Sequence, residues 1–239
     1  MNMEPVRFGV IGCGLMGREF ASVSMRWLHL ACELPRPVIV AACDLSPKNL
    51  DWFRQVPDTK YFYSDYHELL ANPEVEAVYC AVPHHLHAQV YGDVIRAGKH
   101  LIGEKPFGMD LAACEEVEGA MAGRPEVFVR CASEFPFYPA VQQMVKWYRE
   151  GAFGQIIEAR FAIKHSSDMD LAKPINWRRM RAATENTAVW ETWASTRSTC
   201  PSGLVFRPAP SARSLPISPK HGRTKTACPF PVKPGTTPS

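Results

Sequence analysis

The segment Arg7–Gly17, RFGVIGCGLMG, joins a short apolar run to three glycines spaced as G-x-G-x-x-G. The run predicts a buried strand over Arg7–Ile11, and the apolar spacing that follows predicts a helix over Leu15–Leu34. In such a unit the first glycine makes a tight turn, the second admits a pyrophosphate and the third lets helix and strand pack closely. The free N–H groups that open the helix favour phosphate. The segment therefore predicts a dinucleotide site, although methyltransferases that use S-adenosylmethionine share the pattern.

Four further short apolar runs have the composition of buried strands. They cover Val38–Cys43, Ala77–Val82, His100–Ile102 and Val127–Cys131. Helical stretches alternate with them, namely Asp65–Leu70, His84–Arg96 and Leu111–Met121. We expect Asp65 to form a capping box with Glu68, and Gly98 to stop the second of these helices. Strands that alternate with helices predict an α/β fold with a doubly wound parallel sheet and helices on both faces.

Asp44 closes the second predicted strand, 27 residues after Gly17. An acid at this place can accept the hydroxyls of an adenosine ribose, and it repels the additional phosphate of NADP. We therefore expect NAD as the cofactor, with NADP as the alternative because Lys48 is nearby. Asp44 can also be interpreted as an ordinary cap before Ser46 and Pro47.

The third and fourth predicted strands end in AVPHHLHA (residues 81–88) and in Glu104-Lys105-Pro106. Three histidines within four residues suggest a metal site, but cofactors lie at the carboxyl ends of strands in such sheets, so we expect no metal. His84 and His87 should face one direction and His85 another. Lys105 is a candidate for hydrogen bonding to a substrate oxygen.

Composition limits the other functions. The 239 residues contain no apolar stretch of about 20 residues and no signal-peptide layout. The eight cysteines form no C-x-x-C pair, so we expect reduced thiols and a cytoplasmic protein without a membrane partner. The net charge of +3 hides an asymmetry, since seven of the 27 basic residues but no acidic residue follow Glu191. This basic end has few aromatic residues and no dense Lys/Arg block, so we expect no nucleic-acid partner.

These motifs together resemble the glucose–fructose oxidoreductase / inositol dehydrogenase / MocA (Gfo/Idh/MocA) family. The resemblance rests on the glycine motif, Asp44, AVPHHLHA and above all Glu104-Lys105-Pro106, and it runs from about Val6 to Arg181. It includes PAVQQMVKWYREGAFGQI (139–156), which is similar to the family's helix leading into the second domain. The resemblance implies hydride transfer between NAD(P) and a hydroxyl or carbonyl carbon of a sugar, cyclitol or related compound, and subunits that form homo-oligomers.

The resemblance also implies roles for individual residues. The pyrophosphate would be held by Gly12, Gly14, Leu15, Met16 and Gly17. Asp44 would bind the adenosine ribose. The nicotinamide side would be lined by Pro83, His84, His87, Glu104, Lys105 and Pro106. Lys105 would also be the catalytic residue that steers the substrate hydroxyl, and Trp177 and Arg178 would lie near the substrate. His84 stands where many members have Asn.

The family's later motif, close to D-x-G-x-H, has no counterpart, since no Asp follows Asp170 and His221 is the single later His. A shifted reading frame of residues 189–196 permits G-D-L-G-x-H, so we hypothesise a frameshift after about Ala183. A natural Pro/Ser/Thr-rich tail is the rival hypothesis. We predict a Rossmann domain over residues 1–133, the start of an incomplete α/β domain over 134–181 and an irregular basic tail over 182–239.

Two functions remain open at this point. One is an NAD(P)-dependent oxidoreductase of this family. The other is a dinucleotide-binding chain that is catalytically incomplete or has a binding or regulatory role.

Overall fold

The computed structural model describes residues 3–30 and 34–158. Six strands form one parallel sheet. They are β1 (Val6–Ile11), β2 (Pro37–Cys43), β3 (Tyr61–Tyr63), β4 (Ala77–Cys80), β5 (His100–Gly103) and β6 (Val129–Cys131). Their order across the sheet is β3-β2-β1-β4-β5-β6, so the chain moves outward from β1 in one direction and then returns to add β4 on its other side. This is the strand order of the dinucleotide-binding Rossmann fold.

In the described part of the chain, six α-helices connect or follow the strands. They are α1 (Leu15–Met25), α2 (Pro47–Phe53), α3 (Tyr66–Ala71), α4 (His87–Arg96), α5 (Leu111–Ala122) and α6 (Pro139–Arg149). Buried residues of α1 and α2 pack on one face of the sheet, through Ala21 and Phe53. Residues of α3, α4 and α5 pack on the other face, through Leu69, Tyr91 and Val117. The predicted α/β fold with a doubly wound parallel sheet is therefore confirmed.

Local chemistry explains several of the element boundaries. Val10, Val40 and Val78 in the central strands are at most 3% exposed, as strands covered on both faces require. Gly98 has φ +74° just after α4, so the predicted stop is confirmed. At α3 the carboxylate of Asp65 accepts the N–H of His67, and this cap lowers the pKa of Asp65. The predicted N-cap at Asp65 is confirmed, but Asp65 accepts the N–H of the second helical residue, whereas a capping box with Glu68 would use the third.

The remaining sequence predictions concern the end of the chain. The helix α6 falls within the predicted 139–156 segment, and none of its residues is buried among those described. Trp177, Arg178, the tail and most of the expected second domain lie outside the described residues. The division into residues 1–133, 134–181 and 182–239 stays a prediction. Within the described residues, no helix has the length and apolar character needed to cross a membrane.

Candidate functional site

A cleft lies at the carboxyl edge of the sheet, where β1 and β4 are neighbours. After β1 the chain continues into α1 on one face of the sheet, and after β4 it continues into α4 on the opposite face. Such a point of divergence opens a crevice in which α/β proteins bind ligands. The cleft has a volume of about 760 Å³ and is lined from the ends of β1, β2, β4 and β5 and from the segment after β3. This volume lies within the usual range for small-molecule and cofactor sites.

The glycine segment forms one wall, and its three glycines differ in what surrounds them. Gly12 has φ +92°, and a Cβ there would meet the carbonyl oxygen of Ala81 at 2.5 Å. Gly17 lies under the turn, where a Cβ would collide with the carbonyl oxygen of Gly12. Gly14 lines the cleft, and no atom lies within 4 Å of where its Cβ would stand. The space beside Gly14 is therefore left open for a ligand.

The N-terminus of α1 faces this open space. Gly14 is the N-cap, no side chain caps the helix, and its first turn contains no acidic residue. Leu15 and Met16 also line the cleft. Uncapped N–H groups at a helix N-terminus bind phosphate oxygens and prefer negative charge. The surroundings of Gly14, Leu15 and Met16 thus fit the pyrophosphate of a dinucleotide.

Asp44 extends from the end of β2 into the same cleft. Its Oδ2 accepts the backbone N–H of Cys13 at 2.7 Å, and its Oδ1 accepts the N–H of Ser46 at 2.7 Å. The carboxylate therefore connects the glycine turn to the segment after β2. Lys48 is exposed and does not line the cleft.

Two residues that the sequence analysis did not single out support the Asp44 carboxylate. Asn49 contacts it directly, and Arg18 contacts Asn49. Asn49 donates from Nδ2 to Oδ2 of Asp44 at 3.2 Å, and Arg18 donates from Nη2 to Oδ1 of Asn49 at 3.2 Å. The guanidinium of Arg18 also lies 5.2 Å from the ring centroid of Trp52. Asn49 follows Asp44 by five residues, and an Asn so close to a strand-end acid is the signal that could have indicated it.

The histidines after β4 divide as expected. His84 and His87 are buried with ring centroids 5.4 Å apart, and both line the cleft, whereas His85 is exposed. The two ring nitrogens of His87 lie 2.6 Å from the carbonyl oxygen of Pro106 and 2.9 Å from that of Val82. Burial lowers the pKa of His87, although these two carbonyls act in the opposite direction.

The Glu104-Lys105-Pro106 segment lies directly after β5. Glu104 is only 7% exposed, and its carboxylate accepts the hydroxyl of Tyr79 and the backbone N–H of Lys105. Glu104 and Lys105 line the cleft, as does Pro83, while Pro106 is buried behind it after a cis peptide bond. The cleft thus brings together most of the predicted site residues, and Gly17 and Pro106 support it from behind.

Two neighbouring cysteines lie at the cleft, where Cys43 is a lining residue and Cys13 is fully buried beside it. The thiol of Cys13 donates to the carbonyl oxygen of Cys43 at 3.5 Å. Burial raises the pKa of Cys13 well above its usual value, and burial raises the pKa of Cys43 to about 12. These thiols stay protonated near neutral pH and are poor nucleophiles. Five free cysteines lie within the described residues.

Comparison with known proteins identifies the family. The Gfo/Idh/MocA family model, an oxidoreductase family with an NAD-binding Rossmann fold, matches residues 6–130. The chain belongs to this family. This membership confirms the resemblance that the motifs indicated. It also confirms the predicted cofactor at the level of the family, whose Rossmann fold binds NAD.

Curated relatives of the Gfo/Idh/MocA chain include dehydrogenases. Levoglucosan dehydrogenase of Pseudarthrobacter phenanthrenivorans is 28% identical over 181 residues, which are 74% of this chain and 45% of the relative. The mouse trans-1,2-dihydrobenzene-1,2-diol dehydrogenase is 30% identical over 155 residues, covering 65% of this chain and 45% of the relative. The chain therefore spans less than half the length of these two relatives.

Solved structures support the same fold. A levoglucosan dehydrogenase in complex with NADH and L-sorbose matches with a TM-score of 0.67 at 23% identity, over 76% of this chain and 49% of that one. An apo scyllo-inositol dehydrogenase from Lactobacillus casei matches with a TM-score of 0.57 at 22% identity, over 64% of this chain and 44% of that one. At these identities the similarity establishes the Rossmann fold of the Gfo/Idh/MocA chain.

Proposed function

We propose that this chain is an NAD-dependent oxidoreductase that transfers a hydride between nicotinamide and a hydroxyl or carbonyl carbon of a sugar, cyclitol or related compound. The observation that carries the proposal is the cleft between β1 and β4, which the glycine turn, Asp44 and Lys105 line together. The family match supports the reaction class. We further propose a cytoplasmic protein that forms homo-oligomers and has no nucleic-acid partner.

The residues of the cleft fit NAD. The open space beside Gly14 suits a pyrophosphate, because any larger residue would fill it. Gly12, Gly14, Leu15 and Met16 would hold that group, with Gly17 keeping the turn close to the helix. Asp44 would accept a hydroxyl of the adenosine ribose, and its negative charge disfavours NADP. When bound, NAD supplies the carbon that accepts or returns the hydride.

The residues after β4 and β5 would line the nicotinamide half of the site. They are Pro83, His84, His87, Glu104, Lys105 and Pro106. The ring of His87 lies between two backbone carbonyl oxygens, and its neutral form donates to one of them, so it shapes the wall of the cleft. Glu104 holds the backbone N–H of Lys105. With its backbone fixed in this way, Lys105 would direct its ammonium group towards a substrate oxygen.

Lys105 would act as a hydrogen-bond donor that orients the substrate hydroxyl and stabilises negative charge developing on its oxygen. Trp177 and Arg178 are proposed to lie near the same substrate. A small polyol fits this chemistry, since its hydroxyls can both be oriented and be oxidised. The dehydrogenases among the relatives support this choice of substrate class.

Calorimetric titration with NAD⁺ tests the binding half of the proposal. Absorbance of NADH during incubation with a panel of sugars, polyols and cyclitols tests the reaction. Lys105→Ala should keep NAD⁺ affinity within a few-fold and reduce any turnover by at least about 100-fold. Lys60→Ala is the matched control, because Lys60 is exposed and pairs with Glu74 away from the cleft. Failure of the wild-type chain to bind NAD⁺ would contradict the proposal.

A second candidate function is dinucleotide binding without turnover. It is favoured by the missing D-x-G-x-H motif, since no Asp follows Asp170 and a general base must reach the proton that it removes. For this candidate we expect NAD⁺ binding with little or no NADH formation on any substrate of the panel. Turnover that depends on Lys105 would exclude it.

A further inference from the structure

We propose that Asn49 determines the preference for NAD over NADP by fixing the carboxylate of Asp44. The inference rests on the proposed NAD site and adds a residue to it. Asn49 lines the cleft, and its amide stands between Asp44 and Arg18.

The orientation of the Asn49 amide follows from its partners. An arginine side chain only donates hydrogen bonds, so the atom that faces Arg18 must be the amide oxygen. The amide nitrogen therefore faces Asp44 and donates to its Oδ2. Arg18 thus makes Asn49 a donor to the carboxylate, and the ring of Trp52 beneath the guanidinium keeps Arg18 in place.

The carboxylate of Asp44 has limited capacity left. A carboxylate oxygen accepts about two hydrogen bonds. Oδ2 is saturated by the N–H of Cys13 and the amide of Asn49, whereas Oδ1 accepts the N–H of Ser46 and keeps room for one more donor. A ribose hydroxyl can provide that donor without disturbing any of the three bonds.

A phosphate on the same ribose carries negative charge, so Asp44 must turn away to admit NADP. Turning breaks the bonds from Cys13, Ser46 and Asn49 together. Two of these donors are backbone N–H groups, that of Cys13 in the glycine turn and that of Ser46 after β2, so side-chain substitutions do not remove them. Asn49 is the side-chain donor to this carboxylate, so a substitution at Asn49 changes the free energy needed to rotate Asp44. Removing it should let Asp44 move and reduce the discrimination against NADP.

The test is to measure the dissociation constants of NAD⁺ and NADP⁺ by calorimetry at one ionic strength, for the full chain and its variants. Asn49→Leu keeps the size of the side chain and removes its donor. We expect the ratio of the NADP⁺ constant to the NAD⁺ constant to fall about tenfold, which corresponds to one hydrogen bond to a charged group. Asp51→Ala is the control, because Asp51 lies on the same helix with an exposed side chain, and the ratio should not change.

Arg18→Met tests the same inference independently. Loss of a cation alone would weaken NADP⁺ binding and raise the ratio, whereas loss of the restraint on Asn49 should lower it. We expect the lower ratio, and we expect Arg18→Met to add nothing in the Asn49→Leu background. If Asn49→Leu fails to fold, the ratio measured for Arg18→Met tests the inference by itself.

The outcomes separate the two proposals. A wild-type chain that binds neither dinucleotide overturns the proposed function and this inference with it. A wild-type chain that binds NAD⁺, with a ratio that Asn49→Leu and Arg18→Met leave unchanged or raise, overturns the role of Asn49 alone. Equal weakening of both dinucleotides leaves the ratio unchanged and would assign Asn49 a merely structural role.

Discussion

The hydroxyl oxygen of Tyr79 lies 2.7 Å from Oε1 of Glu104, and the Tyr79 ring stacks on Phe20 of α1, on the face of the sheet that this helix covers. Both residues are buried, and burial followed by the nearby Glu104 charge raises the pKa of Tyr79 well above its usual value. Tyr79 therefore stays protonated and donates to the carboxylate. The other oxygen of Glu104 accepts the backbone N–H of Lys105. A tyrosine in the middle of the sheet thus helps to fix the backbone of the residue proposed to meet the substrate.

Replacing Tyr79 by Phe should lower the free energy of unfolding by about 1–3 kcal/mol, because a buried carboxylate loses one of its donors. Urea unfolding followed by tryptophan fluorescence measures this change. Tyr61→Phe is the matched control, since it removes a similar hydroxyl–carboxylate bond to Glu74 at the surface, and its effect should be much smaller. Equal losses for the two variants would contradict the structural role of Tyr79.

Gly12 and Gly14 should respond oppositely to substitution by alanine. Gly12→Ala should destabilise the fold by more than about 1 kcal/mol, because its φ is positive and the methyl group meets the backbone of Ala81. Gly14→Ala meets no atom and has φ −72°, so stability should be retained, while the methyl group takes space proposed for the pyrophosphate. We expect at least tenfold weaker NAD⁺ binding for Gly14→Ala. Thermal unfolding and calorimetry of both variants provide the measurement, and retained affinity in a folded Gly14→Ala would contradict the prediction.

The central part of the fold could be predicted from the sequence because its signals are strong and local. Continuous apolar strands and the glycine turn gave five strands near their observed positions. The edge strand β3 was missed, since three half-buried residues, Tyr61–Tyr63, carry little periodicity. The helix predicted over Leu15–Leu34 ends at Met25, although apolar residues continue beyond it. Leu28 and Leu30 are exposed, so burial of their side chains does not stabilise a longer helix.

The site was predicted less completely, because motifs identify residues but not their partners. Asp44 was found from its place after a strand. The contact of Asn49 to Asp44, and that of Arg18 to Asn49, depend on how α1 and α2 pack on the same face. Likewise, Glu104 was expected at the nicotinamide, and its bond to Tyr79 depends on the register between β4 and β5, in which Cys80 lies opposite Gly103.

His87 should make the stability of the protein depend on pH. Burial lowers its pKa in the folded state, and the nearby His85 and Lys105 add to this. The unfolded chain therefore takes up a proton near pH 6.5 that the folded chain resists. The contribution of His87 is complete above about pH 6.5 and is lost as the pH falls below it. Urea unfolding between pH 5 and pH 8 should show a smaller decrease towards acid for His87→Asn than for the wild type, and identical slopes would contradict the prediction.

Lys99 and Lys105 form a matched pair of lysines in different surroundings, and a substrate role is proposed for Lys105 alone. Lys99 donates from Nζ to the carbonyl oxygens of Val75 at 2.7 Å and Asn72 at 3.1 Å, and burial lowers its pKa. Lys99→Met leaves two carbonyls without this donor and should lower the free energy of unfolding by about 1 kcal/mol.

The same substitution at Lys105 should change stability by less than about 0.5 kcal/mol, as is usual where no buried contact is lost. Its side chain lines the cleft, so the loss should fall on substrate turnover. Urea unfolding and the NADH assay on both variants separate the two effects. A Lys105→Met chain that loses as much stability as Lys99→Met would show that Lys105 supports the fold, and the substrate role proposed for it would then lack its basis.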